Sequence, residues 1–304
     1  MTIIEHLMQS DPSVARMTQK YLLGENPDYV EDGWISLFLE RFDKNKGTWG
    51  NGIYGPKWIS TFYTLRDLVS LEIDPEHPIF QKGLDTLEEN MWSDKWREDD
   101  VCVVAMLVSL MTYGKRDAMH VNAMVDYLVD TQLKDGGWNC AIRYESTDNS
   151  SINTTLSVLE AYRDYEKYGY TKHLKIIHEQ LKSGQDYLLK RQLMFRLKNG
   201  DLIISYIKDF HFPTRWKYDV LRALCYFASV DYIKVPELSA ALSLLNKKFK
   251  RGYLLKGPTY TGLNHFKMET GKFGTMNTLR GLMVLKAFEP EKYDEIISME
   301  VRGQ

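Results

Sequence analysis

The sequence predicts an all-α fold, an α/α toroid in which two concentric layers of helices surround a central cavity. Two observations lead to it. Apolar residues recur with the period of an α-helix through most of the chain, whereas the alternation typical of strands is scarce. The predicted helices also fall into two alternating kinds, one charged on one side and one apolar through much of its length.

Charged amphipathic helices make up the first kind. Apolar side chains spaced for one helix face predict them over residues 75–92, 117–133 and 172–193. Such helices can face water on one side, and they therefore suit an outer layer. Residues 201–207 alternate as a short strand would, and they are the best strand candidate in the chain.

Helices of the second kind open with small polar or aromatic residues and then turn apolar. They recur about every 40–65 residues, a spacing suited to helical-hairpin repeats. The five segments cover residues 57–65, 99–107, 150–156, 215–221 and 274–279. Because apolar helices must be buried on most sides, we expect them to form the inner layer, with their polar starts at one end of the cavity.

These repeats define the expected domain organisation. We predict a single domain over residues 1–304, with a helical lead-in over 1–34 and about five hairpin repeats over 35–290. An open α-solenoid has similar repeats but a solvated concave face, and it is the main alternative.

Composition excludes several classes of protein. Lys and Arg number 39 against 41 Asp and Glu, which argues against a general binder of nucleic acid or anionic membranes. No segment reaches the roughly 18 consecutive apolar residues that span a bilayer, and the first residues lack the pattern of a signal peptide. Three cysteines are too few for a disulfide framework, so we expect a cytoplasmic protein. Aromatic residues reach 12%, which fits a well-packed core or an aromatic-lined cavity.

A glycine-rich turn carries the main resemblance to known proteins. The stretch Gln132-Leu133-Lys134-Asp135-Gly136-Gly137-Trp138 resembles the Gln-and-Trp repeat motif of squalene and oxidosqualene cyclases and the Gly-Gly-Phe/Trp turn of protein prenyltransferase β subunits. Gly47-Thr48-Trp49 looks like a degenerate copy. In the cyclases this motif is structural: the glycines make the turn, Trp packs over a helix end, and Gln bonds to backbone groups.

The wider pattern is similar to bacterial prenyltransferase-like or squalene-cyclase-like proteins, which are related in fold to squalene-hopene cyclases. Residues 135–140, 212–219 and 268–280 resemble pieces that recur in them. The resemblance in architecture covers roughly residues 35–290, whereas the resemblance in sequence motifs is confined to short pieces. It implies the toroid fold and an isoprenoid ligand.

The segment Arg97-Glu98-Asp99-Asp100 begins an inner helix and resembles the Asp-x-Asp-Asp motif of class II terpene cyclases. In that motif the third residue donates a proton to an alkene or epoxide. The resemblance therefore implies Asp99 as the general acid, assisted by Asp100, although Arg97 stands where the motif has its first Asp. Capping of the helix by its acidic first turn is the structural alternative.

Asp100-Val101-Cys102 also has the Asp-x-Cys form that supplies two zinc ligands in prenyltransferase β subunits. The third ligand there is a histidine at the beginning of a late inner helix, a place that Gly274 occupies in this chain. We therefore expect no metal and no other cofactor. A lone cysteine in an apolar run is more often a small buried residue.

Further candidates for substrate binding lie near the predicted inner-helix starts. Arg215 could bind a diphosphate or a carboxylate, or the charged stretch around it could face water. Aromatic rings nearby could stabilise a carbocation, and Asn153 stands where a helix cap is also expected. The full set is Tyr54, Lys57, Trp58, Tyr63, Asn153, Arg215, Trp216, Tyr218, Asp219 and Glu269.

Three functions stay open on the sequence. The first is acid-initiated cyclisation or transfer of an isoprenoid in the cavity. The second is a non-catalytic toroid that binds a ligand or a protein partner. The third is a hydrolase or lyase for a glycan-like substrate, which would pair Asp99 or Asp100 with Asp219 or Glu269. The expected partner is an apolar small molecule rather than nucleic acid, and any partner subunit is left open.

Overall fold

The computed structural model describes residues 1–91, 100–249 and 252–300. These residues form thirteen α-helices and no strand, with four isolated β-bridges. The all-α class is therefore confirmed. Within the same residues, no helix is both long enough and apolar enough to cross a bilayer.

The helices alternate between the two predicted kinds. After a lead-in of α1 (Ile3–Met8), α2 (Pro12–Thr18) and α3 (Trp34–Leu39), five largely buried helices each precede a less buried one. We call these the apolar and the polar helices, after the two predicted kinds. The apolar helices are α4 (Thr61–Ser70), α6 (Val101–Tyr113), α8 (Ile152–Lys167), α10 (Val220–Ser229) and α12 (Thr275–Phe288). The polar ones are α5 (Pro78–Met91), α7 (Ala118–Asp130), α9 (Leu174–Leu189), α11 (Ser239–Lys248) and α13 (Pro290–Ile297).

Each apolar helix packs against the polar helix that follows it, which gives five helical hairpins. The apolar helices are buried on most sides: ten of the thirteen residues of α6 lie in the core. The polar helices bury a narrower face, which in α7 consists of Val121, Met124, Val125 and Leu128. This is the division that hydrophobic periodicity predicts for an inner and an outer layer.

The inner helices are linked in a closed circuit of contacts. Helix α4 packs on α6, α6 on α8, α10 on α12, and α12 on α2, while α2 and α3 return the circuit to α4. Hydrogen bonds from Arg222 to Ser157 and Glu160 join α10 to α8. The toroid itself stays a prediction that this circuit supports.

The strand candidate at 201–207 does not form a strand. Leu202 forms one isolated bridge with Phe195, and Ser205–Lys208 is a single 3₁₀ turn. Gly200 closes the tight turn before it, with a φ of 73°. A strand needs neighbours for its backbone groups, and this segment meets only the short stretch that precedes its own turn.

Two tryptophans pack in equivalent places. Trp49 and Trp138 are fully buried, and their indole N–H groups donate to the carbonyls of Phe38 (2.7 Å) and Leu128 (2.8 Å). The next outer helix brings a glycine against each indole, where a β-carbon would come within 2.7 Å of Trp49 and 3.0 Å of Trp138. Gly47-Thr48-Trp49 is thus a structural copy of the Gly-Gly-Trp turn.

A threonine hydroxyl extends this equivalence to a third copy. The backbone N–H of Trp49 donates to Thr61 Oγ1 (3.1 Å), that of Trp138 to Thr155 Oγ1 (3.0 Å), and that of Leu254 to Thr278 Oγ1 (2.9 Å). Each threonine lies in the first turns of an inner helix. The hydroxyl therefore ties the turn to the helix that follows it in three repeats.

Gln132 has the backbone-binding role that the resemblance implies. Its side-chain amide donates to the carbonyl of Gly136 at 2.9 Å and to that of Gln180 at 3.4 Å. The first bond closes the glycine turn, and the second joins it to α9. Gln132 and Trp138 are therefore scaffold residues.

Candidate functional site

A cavity of about 620 Å³ lies between α2, α8, α10 and α12. One part of its wall is apolar and includes Met17, Phe212, Met276, Met283 and Val284. Mixed walls of this kind are usual for sites that bind small organic molecules. The apolar part is suited to a hydrocarbon body.

The rest of the wall is strongly charged. Five basic side chains and two acidic ones line the cavity: Arg163, Lys167, Arg222, Arg280, Lys286, Glu160 and Asp231. Lys167, Asp231 and Lys286 are exposed, so they mark the side on which the cavity opens to solvent. The excess of basic groups favours a ligand with negative charge.

Arg222 and Glu160 form a buried ion pair in this wall. Arg222 Nε and Nη2 donate to the two carboxylate oxygens of Glu160 at 2.9 and 2.5 Å, a bidentate arrangement. Burial alone raises the pKa of Glu160, but the Arg222 charge more than offsets this and holds the pKa below its usual value. Glu160 is therefore an ionised carboxylate rather than a proton donor.

Arg280 differs from the other two guanidinium groups of the cavity. Arg222 is neutralised by Glu160, and Arg163 donates to Asp164 at 2.7 Å. Arg280 donates to the carbonyl of His211 (3.2 Å) and the amide oxygen of Asn277 (3.3 Å), which are both uncharged. Within the described part of the chain it has no carboxylate within 4 Å, so its charge is available to an anion.

A second, smaller cavity of about 150 Å³ adjoins the first and shares Ser70, Glu160, Arg163 and Thr214 with it. Arg215 lines it and is only 4% exposed. Its Nη2 donates to Asp67 at 3.3 Å and to Asn264 at 3.1 Å, and its guanidinium stacks over Trp58 at 4.7 Å. The Nε and Nη1 atoms have no hydrogen-bond partner among the described residues.

Asp67 should make the stability of the folded protein depend on pH. Burial raises the pKa of Asp67 from 3.8 to about 6, although Arg215 opposes the shift. Between these two pKa values the folded chain holds a proton on Asp67 that the unfolded chain has released. The free energy of unfolding should therefore fall as the pH rises from about 4 to about 6, by on the order of 2–3 kcal/mol from this one group.

Urea unfolding of the wild type and of Asp67→Asn at several pH values between 4 and 7 measures this contribution. Asparagine does not titrate, so the variant should lose this component and keep the rest of the pH dependence. Parallel curves for the two proteins would contradict the assignment.

Six predicted residues come together near the beginnings of α4 and α10. In this aromatic–lysine cluster, formed by Tyr54, Lys57, Trp58, Tyr63, Arg215 and Trp216, Lys57 Nζ lies 5.4–6.0 Å from the centres of four rings. Tyr63 donates to the Tyr54 hydroxyl at 3.0 Å. Arg215 alone among them lines one of the two cavities described above, because the others lie at the opposite end of α4 from Ser70.

The other substrate-binding candidates hold helix ends in place. Asp219 is fully buried and caps α10 by accepting from the Arg222 N–H at 2.8 Å. Glu269 accepts from the Met276 N–H at the beginning of α12 (3.1 Å), and burial raises its pKa. Asn153 accepts from the Tyr218 N–H at 2.8 Å, and Tyr218 is itself buried.

Of the two proposed acids, Asp100 lies away from both cavities, and Asp99 is not among the described residues. Asp99, with Arg97, falls outside the described residues. Asp100 is the N-cap residue of α6 and accepts from the Tyr144 hydroxyl at 3.1 Å. It lines neither cavity, and the described carboxylates Asp219 and Glu269 are held by backbone groups rather than by Asp100.

Asp100, Cys102 and Cys140 are the one group of the described residues that offers three potential metal donors within 4.8 Å of one another. Cys140 was not expected here, because it follows the Gly-Gly-Trp turn and lies far from Cys102 in sequence. A hydrogen bond from Cys102 lowers the pKa of the Cys140 thiol to about 7, against the effect of burial. The same contact raises the pKa of Cys102.

The charged residues of the cavity wall were missed by sequence reasoning. Their signal was present: Arg222 interrupts an otherwise apolar stretch of α10, and Glu160 and Arg163 lie one turn apart on α8. A charged side chain on a buried helix needs a partner, so such residues are candidates for ion pairs or for a binding site.

Comparison with known proteins does not assign the chain to a family. No protein-family model matches the chain. No curated protein matches it either.

Proposed function

We propose that this chain is a prenyltransferase-like or squalene-cyclase-like α/α toroid protein that binds an isoprenoid-type ligand with an anionic head group. The single observation that carries the proposal is the cavity of about 620 Å³, whose wall combines an apolar part with an excess of basic side chains. The closed circuit of inner helices supports the toroid, and the Gln132 and Trp138 scaffold supports the family.

The chemistry of the wall selects the ligand class. Methionine, phenylalanine and valine side chains accept a hydrocarbon but offer it no hydrogen bond. Arg280 and the exposed Lys167 and Lys286 offer positive charge on the same wall, and guanidinium groups match phosphate oxygens well. An isoprenoid diphosphate has both parts, whereas squalene lacks the anion and a glycan lacks the hydrocarbon.

Binding is the part of the function that the geometry supports best. Glu160 is held ionised by Arg222, so it is not suited to protonate an alkene. Cyclisation or transfer with Asp99 as the acid stays a prediction from the resemblance, as does a cytoplasmic location. A protein that binds its ligand without a reaction fits the same cavity.

Substitution of Arg280 tests the head-group contact. Arg280→Gln should weaken the binding of farnesyl diphosphate about tenfold to a hundredfold, because hydrogen bonds to a charged group contribute about 1.5–3 kcal/mol. The binding of farnesol, which has the same chain without the charge, should change little. Isothermal titration calorimetry measures both ligands.

Lys44→Gln is the matched control, since Lys44 is exposed and lies outside the cavity wall. It removes one positive charge and should leave both affinities unchanged. Equal binding of the diphosphate and the alcohol by the wild type would overturn the proposed ligand class.

A product screen tests for a reaction. The protein is incubated with squalene, farnesyl diphosphate and geranylgeranyl diphosphate, and extracts are analysed by gas chromatography–mass spectrometry. A cyclic or hydrated product that Asp99→Asn fails to make would establish acid-initiated cyclisation. Binding without any product would assign the chain to the non-catalytic alternative.

A further inference from the structure

Two cysteines that are distant in sequence meet at the beginning of α6. Cys102 is the second residue of that helix, and Cys140 opens the 3₁₀ turn Cys140–Arg143 that follows the Gly-Gly-Trp turn. Their sulfur atoms lie within 4.8 Å of each other. Both residues are partly exposed to solvent.

The surroundings of Cys140 stabilise a thiolate. The backbone N–H of Cys102, in the first turn of α6, donates to Cys140 Sγ at 3.3 Å, and the hydroxyl of Thr154 lies 3.3 Å from the same sulfur. Backbone N–H groups at a helix N-terminus carry partial positive charge and favour an anion. Asp100 opposes this effect through its own negative charge.

We propose that Cys140 and Cys102 form a dithiol site that reacts with low-molecular-weight disulfides, Cys140 being the nucleophile and Cys102 the resolving thiol. The Cys140 thiolate attacks one sulfur of the disulfide, which forms a mixed disulfide and releases one thiolate. The Cys102 thiol then loses its proton to solvent, and its sulfur attacks Cys140 Sγ. This closes the Cys102–Cys140 disulfide and releases the second thiolate, so the protein is oxidised by two electrons and the small disulfide is reduced.

The third cysteine is an internal control. Cys225 lies on α10 in the wall of the cavity of about 620 Å³, and burial raises the pKa of its thiol. Its one described hydrogen-bond contact is long, with the Arg280 carbonyl 3.9 Å from the sulfur. Cys225 should therefore react slowly with any disulfide.

Intact-mass spectrometry after treatment with glutathione disulfide at pH 7.5, with EDTA present, tests the site. The wild type should lose two hydrogens in mass and retain no glutathione, and peptide mapping should place the disulfide between residues 102 and 140. Cys102→Ser should accumulate a glutathione adduct on Cys140, because its resolving thiol is missing. Cys140→Ser should react at least about tenfold more slowly.

Cys225→Ser should behave as the wild type does. Retention of glutathione by the wild type to the same extent as by Cys102→Ser would overturn the pairing. A disulfide or adduct that maps to Cys225 in the wild type would overturn it as well. The mapping is made on the unaltered protein, so the result does not depend on whether the serine variants fold.

Discussion

Replacing Trp138 by alanine is expected to lower the free energy of unfolding by about 3–5 kcal/mol, the cost of removing a large buried ring. The side chain has no exposed surface, packs edge-on against Tyr162 at 5.8 Å, and donates to the Leu128 carbonyl. Gly184 leaves room for the indole on α9 and has no side chain of its own with which to fill the space. Urea unfolding followed by circular dichroism measures the change.

Two further variants separate the causes of that loss. Trp138→Phe keeps a ring but removes the indole N–H, so the Leu128 carbonyl keeps only its longer bond from the Thr131 hydroxyl (3.3 Å). It should cost less than alanine. Trp216→Ala is the matched control, because Trp216 is only partly buried and its indole nitrogen has no hydrogen-bond partner among the described residues. A loss for Trp216→Ala equal to that for Trp138→Ala would contradict the scaffold role.

Arg222→Met is expected to cost a similar amount, about 3–5 kcal/mol, because it leaves Glu160 charged and without its partner. Arg222 also donates to the carbonyls of Trp216 and Lys217, both at 3.0 Å, which then lose a donor. The cost should shrink as the pH falls. In the variant we expect burial to outweigh the remaining Arg163 and Arg66 charges and to raise the pKa of Glu160 above its unfolded value. Protonation at low pH then restores stability that is lost again as the pH rises.

The double variant Arg222→Met with Glu160→Leu distinguishes charge from packing. Removing both partners leaves no unpaired carboxylate, although Arg66 and Arg163 then lose the attraction of Glu160. The double variant should therefore be more stable than Arg222→Met alone. Chemical denaturation of all three variants at pH 5 and pH 8 provides the comparison. A double variant that is less stable than the single one at both pH values would show that packing, rather than the unpaired carboxylate, dominates the loss.

The helices were predictable because their pattern is local. The apolar segment that follows Asp100 forms α6, and the amphipathic pattern over 172–193 forms α9 with its ends two to four residues inside the predicted ones. The exact ends of a helix depend on its caps and turns, and the spacing of apolar residues carries no information about these. The alternation at 201–207 did not produce a strand, because alternation is a property of one segment, whereas a strand needs a neighbouring strand for its backbone hydrogen bonds.

The site was less predictable because its contacts join helices that are distant in sequence. Glu160 and Arg222 are 62 positions apart, and Cys102 and Cys140 are 38 apart. No spacing rule for a single helix joins such pairs. Lys57 and Trp58, by contrast, lie beside the helix that positions Tyr63, so their clustering followed from neighbouring residues.

The three threonine hydroxyls have a consequence for how such repeats diverge. The donor in each bond is a main-chain N–H, so the bond persists whatever side chain that position carries, and Leu254 occupies the place of a tryptophan without losing it. This contact therefore constrains the threonine and not the side chain at the turn, which is constrained only by its own packing. Repeats in chains of this kind can keep one geometry long after the aromatic signature by which they would be recognised has disappeared.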